Sequence, residues 1–408
     1  MQKIQVQFRG WGQSWPLGEL ASEGYQVLFE YSPEARTKGI EFSNIRMPLT
    51  ADAYQDFPRE QLQLPGLIAD ALPDGWGLYL MDRFFRKHFN KQPHEISALD
   101  RLAFMGDRTM GAFTFAPATD VVLTPQDMAL TELANEIQQV VADKDTAALK
   151  ELLLIGGSPH GERPKALVQY DAQTESISTL ADAPGMPWLV KFPGAREHKE
   201  VCAIEYLYSE MARKCNLDMP ATKHFALGAK TAAFGIERFD RYGGMRVPIH
   251  TLAGALNINF RIPNSSYQTL LRTTRALTLS EVEVFKAYER CVFNVVFNNR
   301  DDHTKNFSFR MNNAWAWELS PCYDLTFCPG PGGQHQMDVE GEGLHPAKKH
   351  LLQLATSNGI ARTSAQEVIE RIVAVALQFK NVAKNHPIRP ATRNEITRAI
   401  NENCGRMA

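Results

Sequence analysis

Short stretches of the chain alternate apolar and polar residues with a period of two, and longer stretches repeat apolar residues at helical spacing. In the first 118 residues these patterns predict strands at 4–9, 25–31 and 111–116 and helices at 65–88 and 97–105. A Leu-Pro-Asp-Gly run interrupts the longer helix, because proline and glycine break helices. We therefore expect a small α+β unit, with the first strands forming a meander.

The next part of the chain, up to about residue 240, again mixes both patterns. Thr124 followed by Pro125 has the form of a helix cap and first turn. The patterns predict helices at 124–142, 145–154 and 198–214 and strands at 165–170, 188–192 and 234–239.

The remainder of the chain is mainly helical in pattern. A long helix is predicted at 280–299, with an apolar side formed by Val282, Phe285, Val292, Val295 and Val296. A hairpin around the Asn-Asn pair at 312–313 joins strands at 307–311 and 314–319, and helical spacing returns from about residue 345. The whole chain is thus predicted to be α+β with a helical C-terminal part.

The bulk composition is that of a water-soluble protein with no strong charge bias. The 44 Lys and Arg residues nearly balance the 46 Asp and Glu residues, and the net charge of -2 gives no general attraction to nucleic acid or membrane. No apolar run reaches the roughly 18 residues of a membrane span. The six cysteines form no CxxC pair. We expect a cytoplasmic protein with reduced thiols and no membrane association.

The strongest chemical signal is the run Asn-Arg-Asp-Asp-His-Thr-Lys-Asn at 299–306. Transfer of phosphate to an alcohol needs a carboxylate that accepts the hydroxyl proton and oxygen ligands for Mg²⁺. Kinase catalytic loops place an Asp and an Asn with four residues between them. Asp301 and Asn306 have this spacing and Asp302 does not, so Asp301 is predicted to be the base and Asp302 a neighbour.

A second carboxylate, Asp324, follows the predicted hairpin in the run Leu-Ser-Pro-Cys-Tyr-Asp-Leu. A kinase places its metal-binding Asp at this point of the chain. Either feature alone favours a solvated turn or a helix cap. Together and in this order they predict a phosphotransfer site with Asn306 and Asp324 as the Mg²⁺ ligands.

Residues suited to holding ATP lie upstream. Lys191 is near the end of the strand Trp-Leu-Val-Lys-Phe, where a lysine can reach the α- and β-phosphates. The following helix offers Glu200, Glu205 and Glu210 as partners for this lysine. We favour Glu205, and the alternative for all three is a solvated helix face.

A glycine-rich run at 156–165 precedes a predicted strand and includes Gly156, Gly157 and Ser158. Glycines allow backbone N–H groups to approach a phosphate closely, although this run is not a Walker loop and also suits a domain linker. Further along, the run Ile-Glu-Arg-Phe-Asp-Arg at 236–241 ends a strand. Its backbone is a candidate hinge for adenine, and the alternative is a charged strand end.

Five runs follow one another along the chain: GGSPHGERPK, WLVKFP, IERFDR, RDDHTKNFS and LSPCYDL. Over nearly its whole length the chain thereby resembles the HipA family, the kinase toxins of bacterial toxin–antitoxin pairs. The runs at 67–75 and 106–112 resemble the small N-terminal subdomain of that family. The resemblance implies a two-lobed kinase-like core related to lipid kinases. It divides the chain into an N-terminal subdomain (1–118), a kinase N-lobe (119–240) and a helical C-lobe (241–408).

The resemblance also implies a serine/threonine protein kinase that uses ATP and Mg²⁺. Asp301 would be the base, Lys191 would hold phosphates, and Asn306 and Asp324 would bind Mg²⁺. The further ATP-contacting residues would be Gly156, Gly157, Ser158, Lys165, Glu237, Phe239 and His303.

Partners follow from the same resemblance. Members of the family phosphorylate aminoacyl-tRNA synthetases, and they pair with a small helix-turn-helix antitoxin through which they reach DNA. A serine in the glycine-rich loop is autophosphorylated in the family, and Ser158 matches it here. The chain departs from the family in the inserted-looking Pro-His-Gly-Glu run at 159–162.

Two other functions fit the same residues. A small-molecule or lipid kinase would use the same catalytic parts, because the chemistry of phosphate transfer is shared. A non-catalytic module that binds an antitoxin as a corepressor would need none of them. The presence of Asp301, Asn306 and Asp324 argues against the second alternative.

Overall fold

The computed structural model describes residues 2–23, 26–119, 126–144, 146, 148–157 and 160–408. Its mixture of strands and helices confirms the predicted α+β class. A connected core runs from Ile4 to Met407, so the three predicted segments share one apolar interior. The boundaries at 118 and 240 stay predictions.

The N-terminal segment contains an antiparallel sheet with the order β3-β2-β1-β4, and its first three strands form a meander in which the unpredicted strand β2 lies between the two predicted strands β1 and β3. Alternate residues of β1, including Val6 and Phe8, are fully buried, which is the physical basis of the period of two. The elements are β1 (Gln2–Gly10), β2 (Gln13–Glu23), β3 (Gln26–Tyr31), α1 (Pro33–Lys38), α2 (Gly66–Ala69), α3 (Gly75–Phe89), α4 (Ala98–Met105) and β4 (Phe113–Ala116).

The second segment contains a five-stranded antiparallel sheet with the order β6-β5-β7-β9-β8. The elements are α5 (Leu130–Val141), α6 (Leu149–Gly156), β5 (Lys165–Asp171), β6 (Ser176–Ser178), β7 (Met186–Lys191), α7 (Glu200–Lys214), β8 (Thr222–Ala226) and β9 (Ala232–Glu237). The predicted cap residues Thr124 and Pro125 lie outside the described residues, and α5 begins later than predicted, at Leu130.

The third segment is mostly helical and carries a small sheet with the order β12-β14-β15. The elements are β10 (Arg241–Tyr242), β11 (Met245–Arg246), β12 (Ile249–Thr251), α8 (Leu252–Leu256), β13 (Ser265–Ser266), α9 (Tyr267–Thr278), α10 (Glu281–Val296), β14 (Ser308–Met311), β15 (Trp317–Leu319), β16 (Met337–Asp338), α11 (Lys348–Ser357), α12 (Arg362–Ala376), α13 (Phe379–Val382) and α14 (Pro390–Arg406). The predicted hairpin is confirmed as β14 and β15.

One residue of the predicted apolar side of α10 was placed wrongly. Val282 is 65% exposed, whereas Val292, Val295 and Val296 are buried. The buried stripe begins at Val284, and a residue two positions earlier points to the opposite side of a helix.

No helix among the described residues is long and apolar enough to cross a bilayer. All six cysteines are free thiols, and only Cys328 is partly exposed.

Candidate active site

The chain leaves the buried helix α10 and enters the loop that carries the two neighbouring aspartates. The Asp301 side chain is 47% exposed, while Asp302 is fully buried. Asn306 donates its side-chain N–H to the backbone carbonyl of Asp301 over 2.7 Å, which closes the loop between them. The loop therefore holds the predicted base and the predicted metal ligand in a fixed relation, with the base open to an incoming group.

Asp302 anchors this loop to the C-terminal part of the protein. Its carboxylate accepts hydrogen bonds from the Tyr267 hydroxyl (2.6 Å), His335 Nδ1 (2.7 Å) and the Gln336 amide (2.8 Å). Asn294 donates in turn to the Tyr267 hydroxyl over 2.9 Å. These contacts give Asp302 a structural role, which the sequence analysis did not assign to it.

Lys191, at the end of β7, lies between two carboxylates. Its Nζ is 2.5 Å from Glu205 Oε1 and 2.6 Å from Asp324 Oδ1. The structure thus selects Glu205 from the three candidate glutamates. The other two have different partners: Glu200 pairs with Arg389, and Glu210 pairs with His386.

A second lysine, Lys165, stands directly opposite Lys191 in the β5–β7 register. Both side chains are buried, and like charges at opposite positions of a sheet repel each other. Burial and the charge of Lys191 lower the pKa of Lys165 to about 8. Burial also lowers the pKa of Lys191, but the charges of Asp324 and Glu205 outweigh it and raise that pKa. A polyanion would relieve the repulsion between the two lysines.

The pKa values of Asp324 and Asp301 are shifted in opposite directions. Burial raises the pKa of Asp324, but the charge and hydrogen bond of Lys191 outweigh burial and hold that pKa well below the ordinary value. For Asp301, burial raises the pKa, the nearby His303 lowers it, and the charges of Asp324 and Asp302 raise it further. The pKa of Asp324 is therefore lowered, while that of Asp301 is raised.

Asn306 and Asp324 fit a magnesium site by their chemistry and surroundings. The Tyr323 hydroxyl donates to the Lys305 backbone carbonyl over 2.6 Å, so the residues preceding Asp324 and Asn306 are joined directly. Lys191 donates a hydrogen bond to Oδ1 of Asp324, whereas none of the described residues donates one to Oδ2. An anionic carboxylate oxygen and an amide oxygen are the ligand types that Mg²⁺ prefers.

The glycine-rich run differs in part from the predicted loop. Gly156 is the last residue of α6, and a Cβ there would lie 2.5 Å from the carbonyl oxygen of Lys165, so close packing requires this glycine. Gly157 follows the helix, and Ser158 lies outside the described residues. Lys165 donates its Nζ to the backbone carbonyl of His160 and so reaches back over the loop.

The sequence did not reveal the contact between this loop and the N-terminal segment. Asp74 accepts hydrogen bonds from the Gly161 amide through one oxygen and from Lys305 Nζ, 2.8 Å away, through the other. Trp76 donates its amide to the Gly161 carbonyl over 3.0 Å, and His160 contacts the Leu72 carbonyl over 2.8 Å. One carboxylate thus joins the glycine-rich loop to the catalytic loop. The only feature of the sequence that marked the site of this contact was the Leu-Pro-Asp-Gly run, which interrupts the helical pattern between α2 and α3.

The predicted hinge lies at the end of β9. The Glu237 amide donates to the Ala221 carbonyl over 2.9 Å, and the Phe239 ring lies 5.5 Å from the Tyr323 ring, beside Asp324. The buried Asp240 fixes the segment by pairing with Arg238 and by accepting from the Gly111 amide of the N-terminal segment. Phe239 therefore packs against the residue that precedes Asp324, the partner of Lys191.

His303 lies close to the predicted base, Asp301. Its Nε2 is 3.9 Å from Asp301 Oδ1, and its ring packs 5.3 Å from the Phe260 ring. Its Nδ1 is buried and has no partner in the part of the chain that the structure describes. Such a buried nitrogen without a hydrogen-bond partner is suited to contact with a ligand.

Comparison with known proteins agrees with this architecture. The family model described as the HipA N-terminal domain matches residues 10–116, and the HipA-like C-terminal domain matches residues 157–379, more than half of the chain. No curated protein sequence matches the chain.

Among the solved structures that match the chain are the following two. One is from the Shewanella oneidensis MR-1 toxin–antitoxin complex of HipA, HipB and operator DNA, with 18% identity, a TM-score of 0.70, and coverage of 99% of this chain and 96% of that chain. The other is the Helicobacter pylori proinflammatory kinase CtkA, with 13% identity, a TM-score of 0.40, and coverage of 55% and 89%. On the evidence of the two family models, the chain belongs to the HipA family.

Proposed function

We propose that this protein is an ATP- and Mg²⁺-dependent kinase that transfers the γ-phosphate to a serine or threonine hydroxyl of a protein. The observation that carries the proposal is the placement of Lys191 between Glu205 and Asp324, with Lys165 directly opposite. These groups offer a polyphosphate two ammonium groups and a carboxylate for its metal. The half-exposed Asp301 supplies a base on the neighbouring loop.

Each residue has a distinct role in this proposal. The phosphates are held by Lys191, by Lys165 and by the backbone that follows Gly156 and Gly157. His303 contacts the nucleotide from the side on which Asp301 lies. The backbone at Glu237 and Phe239 receives adenine. Asn306 and Asp324 would hold Mg²⁺, which offsets the negative charge that develops during transfer. Asp301 orients the acceptor hydroxyl and takes its proton.

The biological setting is proposed from the family and from the Shewanella complex. We infer a toxin acting in the cytoplasm, with a helix-turn-helix antitoxin as partner and DNA contact only through that partner. The proposed target is a translation component such as an aminoacyl-tRNA synthetase.

Ser158 is proposed as the autophosphorylated residue, so Ser158→Ala should remove the phosphopeptide. A phosphate found elsewhere on that variant would refute the assignment.

The function is tested by transfer of label from ATP in the presence of Mg²⁺, with the purified protein alone and with a bacterial lysate. We expect labelled protein bands with the wild type. We expect none with Asp324→Ala, because loss of this carboxylate removes a metal ligand and the partner of Lys191. Label on a lipid or small molecule only would favour a different class of kinase. Absence of nucleotide binding would favour a non-catalytic corepressor.

The link made by Asp74 gives a second prediction. Asp74→Asn retains an oxygen for the Gly161 amide but loses the ion pair with Lys305, so both loops lose their common support. We expect kcat to fall by up to about 10²-fold, with a smaller change in the KM for ATP, because small displacements in an active site are costly. The matched control is Asp82→Asn in the same segment, which breaks the ion pair with Arg101 away from the loops. Equal kcat values for the two variants would contradict this role.

A further inference from the structure

A cavity of about 130 Å³ lies where the N-terminal segment meets the catalytic loop. One wall comes from residues 60–62 and from the turn between α2 and α3. The opposite wall comes from α8 and from the segment 258–261 that follows it, and Lys305 of the catalytic loop also lines the cavity. None of Lys165, Lys191, Glu205 or Asp324 lines it, so it is separate from the proposed nucleotide cleft.

The chemistry of the cavity suits an apolar group with a polar attachment. Its walls include Leu62, Leu72, Ile258 and Phe260. Gln61 donates its Nε2 to the carbonyls of Ala253 and Ile258, over 3.5 and 3.3 Å. Its Oε1 is buried, and none of the described residues donates to it. A buried acceptor without a donor costs free energy, and an N–H group of an occupant would remove that cost.

Two exposed apolar side chains lie beside the cavity. Leu62 is 39% exposed, and Ile262, which directly follows the wall segment 258–261, is 54% exposed. A ligand confined to the cavity would leave Ile262 and the outer side of Leu62 in water. A longer ligand that continues out of the cavity would cover them, so the surface favours a polymer over a small molecule.

Two side chains, Phe260 and His303, connect the cavity to the proposed base. Phe260 lines the cavity and packs 5.3 Å from His303, whose Nε2 is 3.9 Å from Asp301 Oδ1. Lys305 Nζ lies 4.8 Å from the Phe260 ring and pairs with Asp74. An occupant of the cavity is therefore positioned to extend toward the half-exposed carboxylate of Asp301.

We propose that this cavity is the docking subsite for the acceptor polypeptide. It receives one apolar side chain of the protein substrate, and a neighbouring backbone N–H of that substrate donates to Gln61 Oε1. The adjoining stretch covers Leu62 and brings a serine or threonine to Asp301. The size is suitable, since a dry cavity of about 150 Å³ accommodates a benzene ring. The inference rests on the proposed protein kinase function and adds to it the position of the substrate.

The test uses the full-length protein, labelled Mg·ATP and a degenerate peptide library with one serine or threonine at a fixed position. We expect the wild type to select an apolar residue at a constant distance from the hydroxyl. Leu62→Glu should raise the KM for a selected peptide at least about tenfold, which corresponds to about 1.4 kcal/mol. Its affinity for Mg·ATP should match that of the wild type, which shows that the fold is intact.

Leu279→Glu is the matched control. Leu279 and Leu62 are both exposed leucines with a left-handed backbone, with φ of 53° and 55°, but Leu279 lies between α9 and α10, away from the cavity. Ile258→Trp is a second variant, which fills the cavity from its wall and should raise the same KM.

The outcomes separate the two proposals. If the wild type phosphorylates peptides without an apolar preference, or if Leu62→Glu and Ile258→Trp behave like Leu279→Glu, the docking subsite is wrong and the kinase function stands. If the wild type phosphorylates no peptide and no protein, the kinase function fails and the docking subsite fails with it.

Discussion

Asp301→Asn is expected to bind Mg·ATP nearly as well as the wild type and to transfer phosphate about 10²- to 10⁴-fold more slowly, which is the usual contribution of a general base. The amide has the shape of the carboxylate but cannot accept the hydroxyl proton. Its backbone carbonyl still accepts from Asn306, so the loop should keep its conformation. The measurements are single-turnover transfer and equilibrium binding of the nucleotide. Transfer within a few-fold of wild type would show that another group is the base.

The pH dependence of transfer provides an independent check of this assignment. Burial and the nearby carboxylates raise the pKa of Asp301, although His303 opposes them. A protonated carboxyl cannot act as a base, so the rate should fall as the pH is lowered through this raised pKa. The decline should begin at a higher pH than for an ordinary aspartate. Asp301→Asn should retain a low rate without this step, and the same acid limb in that variant would assign the titration to another group.

Asp302→Ala is expected to have the largest effect on stability. The substitution removes the acceptor of three donors, from Tyr267, His335 and Gln336, in a site without solvent exposure. A buried donor left without a partner costs about 1–3 kcal/mol, so we expect the free energy of unfolding to fall by about 3 kcal/mol or more. Transfer activity should fall as well, because the same contacts hold the loop that carries Asp301. Chemical denaturation measures the loss.

The neighbouring residue is the control for that experiment. Asp301→Ala removes a half-exposed carboxylate and should change the free energy of unfolding by no more than about 0.5 kcal/mol, as for most surface substitutions. Asp301→Ala should therefore lose activity but keep its stability, whereas Asp302→Ala should lose both activity and stability. Equal destabilisation by the two substitutions would contradict the separate roles assigned to them.

The sequence by itself determined the local elements and the order of the chemical groups. Alternation in β1 and helical spacing in α10 were readable because each pattern repeats within a few residues. The spacing from Asp301 to Asn306 led to the prediction that Asp301, and not Asp302, is the base, and the structure adds that Asp302 is fully buried. The error at Val282 arose where the helix begins, because too few turns define which side is buried there.

The tertiary structure decided which distant groups meet. Glu200, Glu205 and Glu210 were equivalent by pattern, and only the tertiary packing of α7 placed Glu205 beside Lys191. The contact of Asp74 with Lys305 joins residues 231 positions apart, and the cavity at Gln61 forms between segments about as distant. Local periodicity carries no information on such pairs, because they depend on how whole elements pack against one another. The sequence thus determined the chemical groups, and the packing of the N-terminal segment on the catalytic loop determined how they are held together.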